Sequence, residues 1–127
     1  MNPVVLVIED NEQNLYLIRF LLEKNGFTVI EATDGEKGVE MAKKTKPHLI
    51  LLDIQLPKMD GYAVARELRK NSELAKTSIV AVTSYAMVGD RERALAAGAD
   101  GYIEKPIDPD TFIVKIAQHL PVGMRGE

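Results

Sequence analysis

The sequence predicts an α/β fold, with five strands alternating with five helices in one parallel sheet covered on both faces. Three observations carry this reading. The runs Val4–Ile8 and 48–52 are apolar without polar alternation, which marks strands buried on both sides. Between such runs lie amphipathic stretches whose apolar residues recur at helical spacing, as Leu17, Ile18, Leu21 and Leu22 do. The alternation holds from end to end, and successive β–α–β units close into a parallel sheet through right-handed crossovers.

Val4–Ile8 ends on Glu9-Asp10, Asn11 caps a helix reaching about residue 25, and Gly26 stops it. Thr28–Ala32 is a short strand. Asp34-Gly35 turns the chain into a helix over 35–44, ended by Lys46-Pro47. The central strand, 48–52, runs into Asp53 and then a loop with Pro57 and Gly61, where Gly61 is expected to take a backbone conformation other residues avoid. A helix over 62–70 turns Val64, Ala65 and Leu68 inward. The fourth strand, 78–82, ends on Thr83-Ser84-Tyr85. An Ala-rich helix follows over 88–97, stopped by Gly98, and its Asp90 to Arg93 run reads as a solvated face. The short fifth strand, 101–103, leads into Glu104-Lys105-Pro106. Asp108-Pro109 is expected to cap and begin the last helix, with Phe112, Ile113, Ile116, Ala117 and Leu120 inward.

The chain has 127 residues, the size of one domain, assigned to 1–121 with a flexible tail over 122–127. A net charge of −3 gives no electrostatic case for nucleic acid. No apolar run approaches membrane-spanning length, and the first residues lack the pattern of an export signal, so a cytoplasmic location is expected. The absence of cysteine excludes disulfides and thiolate metal sites. His48 and His119 have no partner motif and read as structural.

In doubly wound sheets ligands sit at the carboxyl ends of the strands, where the strand order reverses. The residues at those ends are Glu9, Asp10, Asp53, Thr83 and Lys105. Three carboxylates converging on one mouth repel one another unless a cation stands among them. A donor set of oxygens alone suits a hard ion, Mg²⁺, with Mn²⁺ as a substitute. A hydroxyl from Thr83 and an ammonium from Lys105 are what a bound anion needs. Together these groups are the equipment for phosphoryl transfer to a carboxylate, a reaction driven by positioning and charge neutralisation.

With these motifs in order at the right strands, the sequence resembles the response-regulator receiver domains of the CheY type. Within them it is similar to single-domain regulators of the DivK kind. The resemblance covers nearly the whole chain and implies a flavodoxin-like strand order of 2-1-3-4-5. It implies Asp53 as phosphoacceptor, and Mg²⁺ on Asp10, Asp53 and the backbone carbonyl of Gln55, with Glu9 acting mainly through water. Thr83, Ser84 and Lys105 would contact phosphoryl oxygens, Thr83 and Tyr102 would switch, and the Lys105-Pro106 bond would be cis. Gln55 and Tyr85 would flank the path of a hydrolytic water and tune dephosphorylation, Tyr85 shielding the phosphoryl group.

The implied partners are a histidine kinase or histidine phosphotransfer protein as donor and an effector protein as output. Leu15, Tyr16 and Phe20 fall largely off the core stripe of their helix, and Leu15 and Phe20 are the expected docking residues for the donor. The expected state is a monomer, with a phosphorylation-dependent dimer through the last two helices as the alternative. Three other readings fit these residues less well. A phosphohydrolase with an aspartyl-phosphate intermediate generally wants an acid where Gln55 stands. A flavin-binding module needs a phosphate cradle where Glu9-Asp10-Asn11 stands. A receiver that only binds partners would not need the full set of acids, hydroxyl and lysine.

Overall fold

The computed structural model describes residues 2–84 and 89–120. In chain order the elements are β1 Val4–Ile8, α1 Glu12–Lys24, β2 Thr28–Ala32, α2 Gly35–Thr45, β3 Leu49–Asp53, α3 Gly61–Arg69, β4 Ser78–Thr83, α4 Asp90–Ala96, β5 Gly101–Glu104 and α5 Phe112–Ala117. All strand pairs are parallel and the sheet order is β2-β1-β3-β4-β5. The five-stranded, doubly wound architecture predicted from the sequence is the one observed.

Strand residues alternate between two cores. Leu6, Ile8, Ile50, Leu52, Ile79 and Ala81 meet apolar residues of α2, α3 and α4 on one face. Val5, Val7, Leu49, Leu51, Val80 and Val82 meet α1 and α5 on the other. Both faces are therefore apolar, which is why the strand sequences show no polar alternation. The chain leaves β1 in one direction to form β2 and returns past it to form β3, so β1 lies between them. Crossovers on either side of that point open a crevice at the carboxyl ends of β1 and β3.

Local chemistry sets the element boundaries. Asn11 caps α1, its side chain accepting from the Asn14 N–H at 2.9 Å, and Asp34 and Asp60 cap α2 and α3 in the same way. His48 is structural: its Nδ1 accepts the Val4 N–H at 2.9 Å. The His119 carbonyl accepts from the Ser78 hydroxyl, tying α5 to the start of β4.

Several expectations need correction. Regular α5 begins at Phe112, not at Asp108-Pro109, because Asp108 folds the chain into a turn first. Its side chain accepts from the Asp110 N–H and its carbonyl from the N–H groups of Thr111 and Phe112. Gly61 does not have a positive φ; among the described glycines those are Gly26, Gly89 and Gly98. Its need is space, since a Cβ there would stand 2.5 Å from Ile54 Cα and 2.7 Å from the Asp53 carbonyl oxygen. A 3-10 turn at Ser72–Leu74, capped by Asn71, lies between α3 and β4 with no counterpart among the predicted elements. The Asp90 to Arg93 face is solvated, with Arg91, Glu92 and Arg93 exposed, although Arg93 also pairs with Asp90 at 3.7 Å and lays its guanidinium 4.5 Å from the Tyr62 ring centroid.

Candidate functional site

Parallel pairing brings the predicted residues together. Asp53 is the last residue of β3, Thr83 the last of β4, Glu9 and Asp10 follow β1, and Lys105 follows β5. Backbone bonds fix the strand ends: Ile54 N–H donates to the Val82 carbonyl at 3.0 Å, and Lys105 N–H to the Thr83 carbonyl at 2.7 Å. The Lys105–Pro106 peptide bond is cis. The group lines a cavity of about 530 Å³, with Glu9, Asp10, Asp53, Gln55, Ser84 and Lys105 on its wall beside the first turn of α1.

Charge is concentrated, and two of the three carboxylates are buried. Glu9 is 1% exposed and Asp53 3%, whereas Asp10 is open to solvent. Lys105 Nζ lies 2.8 Å from Glu9 Oε1 and 3.4 Å from Asp53 Oδ2. Asn11 N–H donates to Glu9 Oε2 at 3.2 Å, and Gln55 N–H to Asp53 Oδ1 at 3.0 Å. The Glu9 carboxyl is pushed up to about 7, chiefly by burial and then by Asp53, against the pull of Lys105. Its Oε1 has the ammonium beside it but makes no hydrogen bond of good geometry.

The donor set fits a hard cation. Glu9, Asp10 and Asp53 each offer a carboxylate oxygen, and these oxygens lie within 4.8 Å of one another. No nitrogen or sulfur ligand is among them, and a buried carboxylate oxygen lacking a hydrogen bond is a position a divalent ion satisfies.

Thr83 stands at the end of β4 as expected, but its side chain is covered. It is 2% exposed and is not part of the cavity wall. Gln55, which is part of the wall, donates through Nε2 to Thr83 Oγ1 at 2.6 Å and accepts the Ser84 N–H on Oε1 at 3.1 Å. This bridge had no signal in the sequence, because a glutamine in a loop carries no spacing that points to a partner in another strand. Tyr102 is half-buried on β5 against the α2–α4 core. Its phenol is pushed up by burial first, then by Asp90 and Glu104. Tyr85 lies outside the described residues. On α1, Tyr16 is 73% and Phe20 50% exposed, while Leu15 packs partly against the α1–α5 core. Leu15 is thus less free than expected.

The family model for the response regulator receiver domain matches residues 5–117. The chain belongs to the response regulator receiver domain family. As a receiver it is 40% identical over 120 residues to the polar-differentiation response regulator DivK of Brucella anthropi, covering 94% of this chain and 98% of the relative. DivK of Brucella ovis gives the same identity and coverage. Among solved structures, the receiver domain of a Pseudomonas aeruginosa sensor histidine kinase superposes with a TM-score of 0.85 at 32% identity, covering 93% of this chain and 97% of that one. That structure has a magnesium ion coordinated in its active-site cleft. A CheY-like receiver protein of Methanospirillum hungatei gives a TM-score of 0.86 at 29% identity, over 93% of each chain. Receivers are modules of two-component signalling, so this receiver is a signalling switch of CheY-like fold.

Proposed function

We propose that this receiver works as a single-domain regulator that takes a phosphoryl group from a phosphohistidine onto Asp53. The observation that carries the reading is the meeting of Glu9, Asp10 and Asp53 oxygens within 4.8 Å, with the Lys105 ammonium at the same mouth. Glu9, Asp10, Asp53 and the backbone carbonyl of Gln55 would hold Mg²⁺. When bound, the ion supplies charge neutralisation for the incoming phosphoryl oxygens.

In the transfer, a carboxylate oxygen of Asp53 attacks phosphorus. The new O–P bond forms as the P–N bond of the donor breaks. The electron pair of that bond leaves with the imidazole nitrogen, which takes up a proton from solvent. Lys105 moves from the carboxylates toward the phosphoryl oxygens, and Thr83 and Ser84 supply further donors. In the later hydrolysis a water oxygen replaces the Asp53 oxygen on phosphorus, returning the carboxylate and inorganic phosphate. The chain acts only on its own phosphoryl group; its output is a conformational change in Thr83, α4, Tyr102 and the surface of β5 and α5.

The donor would be a histidine kinase or histidine phosphotransfer protein, docking on the exposed Phe20 and the edge of Leu15. The output would be carried by an effector protein in the cytoplasm, with the regulator a monomer before phosphorylation. Residues 1–121 would form the working unit; 122–127, expected as a tail, lie outside the described residues.

The test is intact mass after incubation with phosphoramidate, with and without Mg²⁺, for the wild type and Asp53→Asn. One Mg²⁺-dependent phosphoryl adduct, absent from Asp53→Asn, is expected. No adduct in the wild type leaves the partner-binding reading standing instead.

A further inference from the structure

The three hydrogen bonds of Gln55 have a common geometry. Its backbone N–H holds Asp53 Oδ1 at 3.0 Å, its Nε2 holds Thr83 Oγ1 at 2.6 Å, and its Oε1 receives the Ser84 N–H at 3.1 Å. The orientation of the amide is fixed by chemistry, because a backbone N–H can only donate and so must face the oxygen. One residue therefore spans the strand end that carries Asp53 and the strand end that carries Thr83.

A phosphoryl group is all acceptor. On Asp53 it would require donors from the next strand end, and the donors there are the Thr83 hydroxyl and the Ser84 N–H. In this state the Ser84 N–H is donated to Gln55 Oε1, and Gln55 Nε2 donates to Thr83 Oγ1, so the amide is seated on Thr83, which is not part of the cavity wall. We propose that Gln55 is an off-state latch, holding the Ser84 N–H on its Oε1 and seated by its Nε2 on Thr83 Oγ1, so that a phosphoryl group on Asp53 must displace its side chain before the end of β4 can move. This rests on Asp53 being the phosphoacceptor. Release of the latch is cheap for Gln55 itself, which lines the cavity and can turn its amide into it. The latch thereby sets how readily the switch is thrown, separately from the chemistry at Asp53.

The test compares the wild type with Gln55→Met, which keeps the chain length and removes both the donor and the acceptor. Beryllofluoride with Mg²⁺ serves as the phosphoryl analogue, titrated while the Thr83 and Ser84 amides are followed by NMR. Gln55→Met is expected to bind the analogue about fivefold more tightly, the size of one net hydrogen bond. In a Thr83→Ala background the gain shrinks, since part of the latch is already gone, whereas a merely structural Gln55 gives additive effects. Equal or weaker binding by Gln55→Met overturns the latch. Gln55→Leu stands in if the methionine variant is misfolded by its NMR spectrum. Failure of the wild type to bind the analogue or form an adduct strikes the Asp53 reading itself, which is a different result from a wild type that binds and a latch variant that does not differ.

Discussion

Lys105 Nζ lies 2.8 Å from Glu9 Oε1, and both side chains are nearly enclosed by protein. The ammonium is closer to Glu9 than to Asp53, at 3.4 Å, so in this state its main partner is not the proposed phosphoacceptor. It neutralises two of the three carboxylates whose charge a metal ion would also neutralise.

Removing that ammonium should act in two directions. Lys105→Met leaves Glu9 and Asp53 facing each other without their shared cation, and breaking buried pairs of this kind costs about 3–5 kcal/mol. In EDTA the variant is expected to unfold at lower urea. The same change deepens the negative potential of the cleft, so Mg²⁺ should bind more tightly, by roughly tenfold. Calorimetric titration with Mg²⁺ checks this; a weaker affinity would mean that Lys105 organises the ligands rather than competing with the ion.

The Glu9 carboxyl predicts a pH effect on the metal-free protein. Burial raises it from 4.5 to about 7, so the folded state holds its proton more strongly than the unfolded chain does. The stability this gives is fully present below about 4.5 and is lost as pH rises through about 7. The loss is of the order of 1–3 kcal/mol. Urea unfolding in EDTA between pH 5 and 8 should show the decline. Glu9→Gln should flatten it, and so should saturating Mg²⁺, which favours the ionised carboxylate.

The sequence disclosed the strand-end chemistry because parallel topology gathers strand ends by rule, whatever the loops do. Glu9, Asp10, Asp53 and Lys105 needed only their place after an apolar run to be found. The same rule could not foresee that Gln55 would cover Thr83, because that depends on the rotamer of one loop side chain. Gly61 is required for space and not for a positive φ. Sequence suggests a glycine's backbone freedom more readily than it suggests the closeness of Ile54, which exists only after α3 has folded back against β3. Similarly, the motif Asp108-Pro109 reads as a helix start, and only the competing turn bonds of Asp108 move that start to Phe112.

Gly61 and Gly26 separate the two costs a glycine can avoid. At Gly61 an added Cβ meets Ile54 Cα at 2.5 Å and the Asp53 carbonyl oxygen at 2.7 Å, both backbone atoms that cannot rotate away. Gly61→Ala should cost about 2–4 kcal/mol, as overpacking does when the backbone must shift. It should also weaken Mg²⁺ binding, because the displaced segment carries Asp53. At Gly26 the φ is +88° and no atom lies within 4 Å, so Gly26→Ala should cost only about 1–2 kcal/mol of backbone strain and leave the metal site alone. Paired urea melts and Mg²⁺ titrations of the two variants distinguish the cases.

Far from the cleft, Arg69 is the most heavily committed side chain of the lower rim. Its Nε donates to the Gly98 carbonyl at 2.9 Å, Nη1 to the Leu74 carbonyl at 2.8 Å, and Nη2 to Asp100 Oδ2 at 2.7 Å. Asp100 Oδ2 also accepts the Ile79 N–H at 2.8 Å, so α3, the 3-10 turn, the α4–β5 loop and β4 meet on one guanidinium. A lysine keeps the charge but is a point donor that cannot reach three acceptors set in a fork. Arg69→Lys should therefore destabilise by about 1–3 kcal/mol, since two carbonyls lose their partner in a half-buried setting. The loss should appear in urea unfolding with Mg²⁺ affinity unchanged, because the clamp sits at the amino ends of β4 and β5 and the cation site at the opposite edge of the sheet, at the carboxyl ends of β1 and β3. A matched fall in Mg²⁺ affinity would instead mean that the position of α4, fixed at its far end by Arg69, is felt at Asp53.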